Sequence, residues 1–443
     1  MSLIRLGFWA ASGSGGLSYW ISTLGGSGSE SGYSVAIDSS GNSYVFGYTD
    51  STGAGDRDFL LSKYNSLGDV QWQRILGGAA RDWGRSVAID SSDNVYVFGH
   101  TASAGAGASD FLLAKYNTSG TIQWQRILGG SGTETGYAVA IDSSDNIYVA
   151  GETDSTGAGS SDFLLAKYNT SGTIQWQRVL GGASGDAAYS VILDSSDNVY
   201  VVGETGSTGA GGDDFLLAKY NSSGTIQWQR VLGGVGDDKC FSAAIDSSDN
   251  LYVFGYTAST GAGSNDFLLA KYNSSGVIQW QRVLGGTDNE QGSSVAIDSS
   301  DNVYVLGFTL SAGAGSLDFL LAKYNSSGTI QWQRVLGTAG SYENGRSVAV
   351  DLLDNVYVFG VTGGIGEGGD EYLQAKLPND GSLTGTYALD GVDVVYAASS
   401  LTAATSTLTA ATSSLTAATS SLTAATSTLT AASASLTSHL VEL

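Results

Sequence analysis

An all-β fold, a seven-bladed β-propeller of four-stranded blades closed by an N-terminal strand, is predicted by three coincident periodicities in this chain of 443 residues. Tryptophans recur at Trp20, Trp72, Trp124, Trp176, Trp228, Trp280 and Trp332, always 52 residues apart. The aspartate ending each S-V-A-I-D-like run recurs at Asp38, Asp90, Asp142, Asp194, Asp246, Asp298 and Asp351. The lysine of D-F-L-L-A-K-Y recurs at Lys63, Lys115, Lys167, Lys219, Lys271, Lys323 and Lys376. The last interval in these two series is 53, which places one inserted residue between Trp332 and Asp351. A period near 50 with four strand-like runs per unit is the signature of a propeller blade.

The unit starting at residue 86 shows the elements in order. S-V-A-I-D (86–90) is strand A, the turn Ser91-Ser92-Asp93-Asn94 follows, and V-Y-V-F-G (95–99) is strand B. A glycine-rich loop leads to D-F-L-L-A-K-Y (110–116), strand C, and the turn Asn117-Thr118-Ser119-Gly120 leads to T-I-Q-W-Q-R-I-L (121–128), strand D. These runs are short and rich in Val, Ile, Tyr, Phe and Trp, as strands are. The chain opens with only a fourth strand, Tyr19 to Leu24, and closes its repeats with only strands A to C, so the first strand is expected to complete the last blade.

Composition narrows the functional classes. There are 42 acidic and 19 basic residues, net charge −23, so no nucleic-acid partner is expected. One cysteine and two histidines argue against a disulfide framework or a zinc site, and no metal or cofactor is expected. No apolar run reaches membrane-span length, and Met1–Ser12 lacks the apolar core of a secretion signal.

The runs I-D-S-S-D-N-V-Y-V-F-G, D-F-L-L-A-K-Y-N-S-S-G and W-Q-R-V-L-G-G resemble the bacterial and viral β-propeller repeat abbreviated SBBP, over residues 16–379. Strands A and B are also similar to NHL-type propellers. The resemblance implies that strand A is innermost and D outermost, and it implies no single activity. The opening M-S-L-I-R-L-G-F-W-A-A-S-G-S-G-G resembles the start of virion structural proteins of marine tailed phages.

The A–B and C–D turns are nearly invariant among the units, whereas the D–A and B–C connections differ. One face of the ring is therefore uniform and the other individually varied, and recognition is expected on the varied face. Its candidate binding residues are Tyr48, Trp83, His100, Glu152, Glu204, Tyr256, Phe308 and Tyr342, aromatic groups and carboxylates suited to stacking on sugars and bonding hydroxyls. Arg81, Asp82, Glu134, Asp186, Asp237, Asp238, Lys239, Asp288, Asn289, Glu290 and Glu343 are the other distinctive residues of these loops. His100, Glu152 and Glu204 hold equivalent places in successive blades, and equivalent second strands should lie roughly 10 Å apart near the axis, too wide for shared metal ligands. No nucleophile–base pair stands out, and no catalytic residue is expected. The uniform Asp90, Lys115 and Arg126 and their equivalents read as structural: a turn cap and two charges that keep outer strands soluble.

The organisation expected is a docking arm (1–15), the propeller (16–379), a linker (380–400) and a tail (401–443). No charge occurs from Val394 to Ser438, and leucines recur every seven residues at Leu401, Leu408, Leu415, Leu422, Leu429 and Leu436 with alanines three after the first five. That spacing favours a helical, coiled-coil assembly segment and a homo-oligomer, a trimer above others. A β-fibre stalk and a flexible linker are the alternatives. Together these features suggest a non-enzymatic virion protein, fibre- or appendage-like, in contact with other virion proteins and a host-surface glycan. The second reading is an extracellular or cell-surface carbohydrate-binding propeller.

Overall fold

Every 52-residue unit folds into one antiparallel sheet whose strands follow chain order from the axis outward. The computed structural model describes residues 19–365, 369–399, 401–404, 406, 408–411, 416–418, 423–425, 430–433 and 437–442. The expected docking arm 1–15 and Leu415, Leu422, Leu429 and Leu436 lie outside the described residues. Blade 2 is representative, with strand A Asp82–Ile89, B Val95–Thr101, C Asp110–Tyr116 and D Ile122–Gly129. Blade 1 runs from Glu30 to Gly77, blade 3 from Glu134 to Gly181, blade 4 from Asp186 to Gly233, blade 5 from Asp238 to Gly285 and blade 6 from Glu290 to Thr338. Blade 7 takes strands A to C from Glu343–Val350, Val356–Thr362 and Glu371–Leu377 and its fourth strand from Trp20–Gly25 at the other end of the chain. Trp20 pairs with Lys376 and Leu24 with Tyr372, as the incomplete first and last repeats require. The inserted residue falls in the blade 6–7 connection, where strand D runs to Thr338 and Gly340 takes a positive φ of 83°.

The invariant turns are ties between blades. Asp90 accepts hydrogen bonds from the backbone of Ser92 (3.0 Å) and Asn94 (2.8 Å) and pairs with Lys115 at 3.2 Å. Burial opposes its charge, but the Asn94 bonds and Lys115 outweigh it and hold the carboxyl below the usual aspartate range. Asp93 sits at φ 60°, which lets its carboxylate accept from Ser39 of blade 1 (N, 3.1 Å; Oγ, 2.8 Å). Arg126 donates to the C–D turn of blade 3 at Gly172 O (2.7 Å) and Ser171 O (2.9 Å). The lysine and arginine therefore bind turns rather than guard an edge against pairing. At the blade 7–blade 1 seam both ties are lost, because Gly41 stands where the other blades have aspartate and Ser22 where they have arginine. Leu352 and Leu353 replace the paired serines there and are 86% and 73% exposed.

The tail departs most from expectation: no described residue of it is helical, and it does not form a separate stalk. Residues 385–398, expected as linker, form a hairpin (Gly385–Leu389, Val392–Ala398) added to the outer edge of blade 6, with Leu389, Val394 and Tyr396 buried. Three-residue strands then add a fifth strand to each blade in reverse order: Thr402–Ala404 on blade 5, Thr409–Ala411 on blade 4, Thr416–Ala418 on blade 3 and Thr423–Ala425 on blade 2. Thr430–Ser433 continues on blade 1, and Thr437–Glu442 ends on Trp20–Gly25 of blade 7. The chain thus belts the whole ring.

The registers explain the seven-residue period. Thr402, Thr409, Thr416, Thr423, Thr430 and Thr437 pair with Gly285, Gly233, Gly181, Gly129, Gly77 and Gly25, so seven residues of tail match 52 of ring. Seven extended residues reach roughly 23–25 Å, enough to step between neighbouring blade edges. Leu401 and Leu408 pack against the clusters between blades 5 and 6 and between blades 4 and 5, as lateral anchors rather than coiled-coil knobs. Their carbonyls accept from Gln333 (2.8 Å) and Gln281 (2.9 Å). Thr and Ser are mediocre helix formers, and the D edges offer unpaired backbone groups for an uncharged extended segment to meet.

Candidate ligand-binding face

The varied face is built over a layer of buried carboxyls. Asp82, Glu134, Asp186, Asp238, Glu290 and Glu343 begin strand A and are fully buried. They clamp the preceding loop instead of facing solvent: Glu134 accepts from Gly130 N (2.8 Å) and Thr153 Oγ1 (2.7 Å). Asp110, which begins strand C, accepts from Ala106 N (3.0 Å), and its other oxygen would lie 1.4 Å from a Cβ at Gly129. Only glycine fits beside that carboxyl.

Desolvation raises the Asp82, Asp110, Asp162 and Asp186 carboxyls above the usual range, and it lifts Asp214 to about 6 with help from Asp238, Asp213 and Asp237. A raised folded-state value contributes stability below the unfolded value that is lost as pH rises through the folded one. The turn aspartates, held low, contribute in the opposite sense and fail only as pH falls below the ordinary aspartate range. Thermal melting should therefore be highest at mildly acidic pH, near 5, and lower both at pH 8 and below about 3. A midpoint that rises steadily from pH 5 to 8 would contradict these assignments.

Strand A carries a β-bulge in every blade, for example between Gly84 and Ser86 in blade 2. The bulged residues are Tyr33, Arg85, Tyr137, Tyr189, Phe241, Ser293 and Arg346. Because strand A is innermost, these side chains meet their counterparts in neighbouring blades around the axis. Tyr137 packs on Tyr189 (4.7 Å between centroids) and Tyr189 on Phe241 (5.1 Å), while the Arg85 guanidinium lies 4.3 Å over Tyr33 and 5.6 Å from Tyr137. Arg346 approaches the Tyr33 ring at 5.4 Å. A collar thus runs through six blades and is interrupted at Ser293. Sequence reading passed over these residues because a bulge leaves no mark on strand periodicity. Their signal is variation at one position inside an otherwise repeated strand.

The sequence-chosen residues fall into two groups beside this collar. Tyr48, Trp83 and His100 form one, with Tyr48 5.1 Å from Trp83 and His100 stacked on Trp83 at 5.9 Å. Arg57 sits between Tyr48 (4.6 Å) and Trp83 (4.4 Å), and Arg85 also approaches Trp83 (5.1 Å). These ring faces are already occupied, which removes them as open sugar-stacking platforms. Burial, reinforced by Arg85, lowers His100 to about 3, so its imidazole is neutral at physiological pH.

Glu152 and Glu204 form the second group, along a cleft of about 380 Å³ between blades 3 and 4 that also includes Asp186 and Asp213. Tyr137 donates to Glu152 (3.1 Å) and Tyr189 to Glu204 (2.9 Å). Lys239 bridges Glu204 and Asp213, each at 2.9 Å. Desolvation raises the Glu204 carboxyl despite Lys239. Tyr256 joins this side through Phe241 at 5.8 Å. Tyr342 stands apart, its hydroxyl bonded to Asp370, and Phe308 sits in strand B opposite Gln291. Among the described residues no group of three or more His, Cys, Asp or Glu could hold a metal ion, and no helix is long and apolar enough to cross a membrane.

Comparison with known proteins agrees with the fold. The family model described as SBBP, β-propeller repeat, matches residues 20–53, 71–105 and 123–157, and a β-propeller domain of unknown function (DUF5122) matches 143–174. The chain is 24% identical over 278 residues to an uncharacterized WD repeat-containing protein, L264, of Acanthamoeba polyphaga mimivirus, a match covering 53% of this chain and 18% of that one. It is 26% identical over 180 residues to the regulatory protein FlaEY of Caulobacter vibrioides, covering 36% of this chain and 18% of that one. The chain thus spans about a fifth of the length of these relatives. Of solved structures, the Pan2 WD40 domain of Neurospora crassa aligns with a TM-score of 0.48 at 9% identity, over 78% of this chain and 88% of that one.

Proposed function

We propose that this β-propeller repeat protein is a non-enzymatic binding head that presents its varied face to a ligand. The observation that carries this reading is the asymmetry of the two faces. The A–B and C–D turns are spent tying blade to blade, whereas the collar and the B-strand ends vary among the blades while resting on a repeated, buried scaffold. A rigid scaffold that individualises one surface suits recognition. Catalysis draws less support, because His100 is neutral and buried, Glu152 is held by Tyr137, and Glu204 is paired with Lys239.

The setting we favour is a virion, with a host-surface glycan as the ligand and other virion proteins as neighbours; a bacterial cell surface is the alternative. The resemblance of the opening arm to phage virion proteins supports the first, and a giant-virus relative agrees with a viral home for such repeats. Oligomerisation through the tail drops out of the proposal, since the tail strands pair within their own ring. The test is to probe a panel of neutral, carboxylated and sulfated glycans with the full chain and to analyse the glycans afterwards. Retention of intact glycans is expected. Cleavage products that disappear in Glu152→Gln or Glu204→Gln would overturn the non-enzymatic reading.

A further inference from the structure

We propose that the collar around Tyr33 is a binding site for a compact oxyanion, a carboxylate, sulfate or phosphate group of the ligand, held between Arg85 and Arg346. The inference rests on reading this face as the binding surface and adds the chemical class of what it takes.

Three observations converge on it. The bulges of blades 2 and 7 bring two guanidinium groups to the single Tyr33 ring, at 4.3 and 5.4 Å from its centroid. The Nε atoms of both are buried without a hydrogen-bond partner. Of the other described arginines, Arg57 lies over the Tyr48 and Trp83 rings and the rest are paired. Arg74, Arg126, Arg178, Arg230, Arg282 and Arg334 bind turn carbonyls, and Arg81 pairs with Asp56.

In a chain of net charge −23, carboxylates for these two cations would be easy to supply. Carboxylates of this face are instead committed elsewhere: Glu152 to the Tyr137 hydroxyl, Glu204 and Asp213 to Lys239, and Asp370 to the Tyr342 hydroxyl. Burial, with a smaller contribution from the neighbouring Arg85, lowers Arg346 from the usual arginine value. Guanidinium groups recognise planar or tetrahedral oxyanions through paired N–H donors, and an anion shared by both would satisfy the vacant donors and relieve the repulsion. Ser293 of the neighbouring blade puts a small side chain in the collar next to Arg346.

The test uses the full chain with sodium sulfate, inorganic phosphate and glucuronate, titrated calorimetrically at matched ionic strength. Arg85→Tyr and Arg346→Ser are the informative variants, because the same bulge carries tyrosine in blade 1 and serine in blade 6, so the scaffold accepts both. The expected result is saturable binding of at least one anion, weakened about tenfold or more in each single variant and lost in the double variant, with strand content and melting cooperativity retained. The preferred anion then distinguishes a carboxylated from a sulfated or phosphorylated ligand. Absence of anion binding, or binding that survives in the double variant, overturns the proposal. Neutral glycans still retained in that case would leave the binding-head reading standing, whereas no ligand of any charge would end both.

Discussion

A chain ending at Ser399 should fold into the seven blades and then associate through its bare rim. The cut removes the fifth strands of blades 1 to 5 and the terminal strand on blade 7, leaving only blade 6 covered, by its hairpin. Each exposed D edge then presents unpaired N–H and C=O groups in a flat, repeated strand, a template for edge-to-edge pairing. The loss in global stability should be modest. A three-residue belt strand costs about 1–2 kcal/mol of backbone entropy per residue and recovers about 0.5–1.5 kcal/mol per hydrogen bond, so each contact is close to balanced before its leucine anchor is counted. The larger effect is on solution behaviour. Light scattering should give a 45.4 kDa monomer for the full chain and concentration-dependent larger species for the truncation. A coiled-coil tail would produce the reverse, an oligomeric full chain and a monomeric truncation.

Ile21→Asp should open the ring. Ile21 is fully buried in the strand that closes blade 7, paired with Ala375 on one side and Val441 on the other. It packs in the cluster shared by blades 6 and 7 with Val358, Leu373 and Leu377. A carboxylate there has no cation to meet, and an unpaired buried charge combined with the loss of an apolar side chain should cost about 4–5 kcal/mol. The seam lacks both the serine–aspartate tie and the arginine–turn tie that join the other neighbours. A much lower urea midpoint is expected, with belt residues 437–442 becoming sensitive to protease in the same transition. A midpoint within experimental scatter of the parent would mean that Trp20–Gly25 does not close the ring.

The blades were legible because the sequence repeats its own evidence. Trp20 through Trp332 fix the period, turn residues punctuate it, and the incomplete first and last repeats point to the closing strand. The tail was not legible because a period of seven has two physical meanings. It matches a left-handed coiled coil, and it also matches the extended chain needed to step between blade edges. The pairing of Thr402 with Gly285 and its equivalents decides for the second. The candidate face was half legible. Tyr48, Trp83 and His100 meet in one group and Glu152 and Glu204 share a cleft in another, yet Arg57, just before Asp58–Tyr64, covers the rings expected to stack sugars. The collar itself depends on bulges, which alternation of apolar and polar residues does not encode.

Amide hydrogen exchange on the full-length monomer tests the central structural claim, that the tail is the ring's own belt. Slow exchange is expected at Thr402–Ala404, Thr409–Ala411, Thr416–Ala418, Thr423–Ala425 and Thr430–Ser433, with the strongest protection at Thr437–Glu442. Exchange at free-peptide rates throughout 401–436, or uniform helical protection accompanied by a trimeric mass, would contradict it.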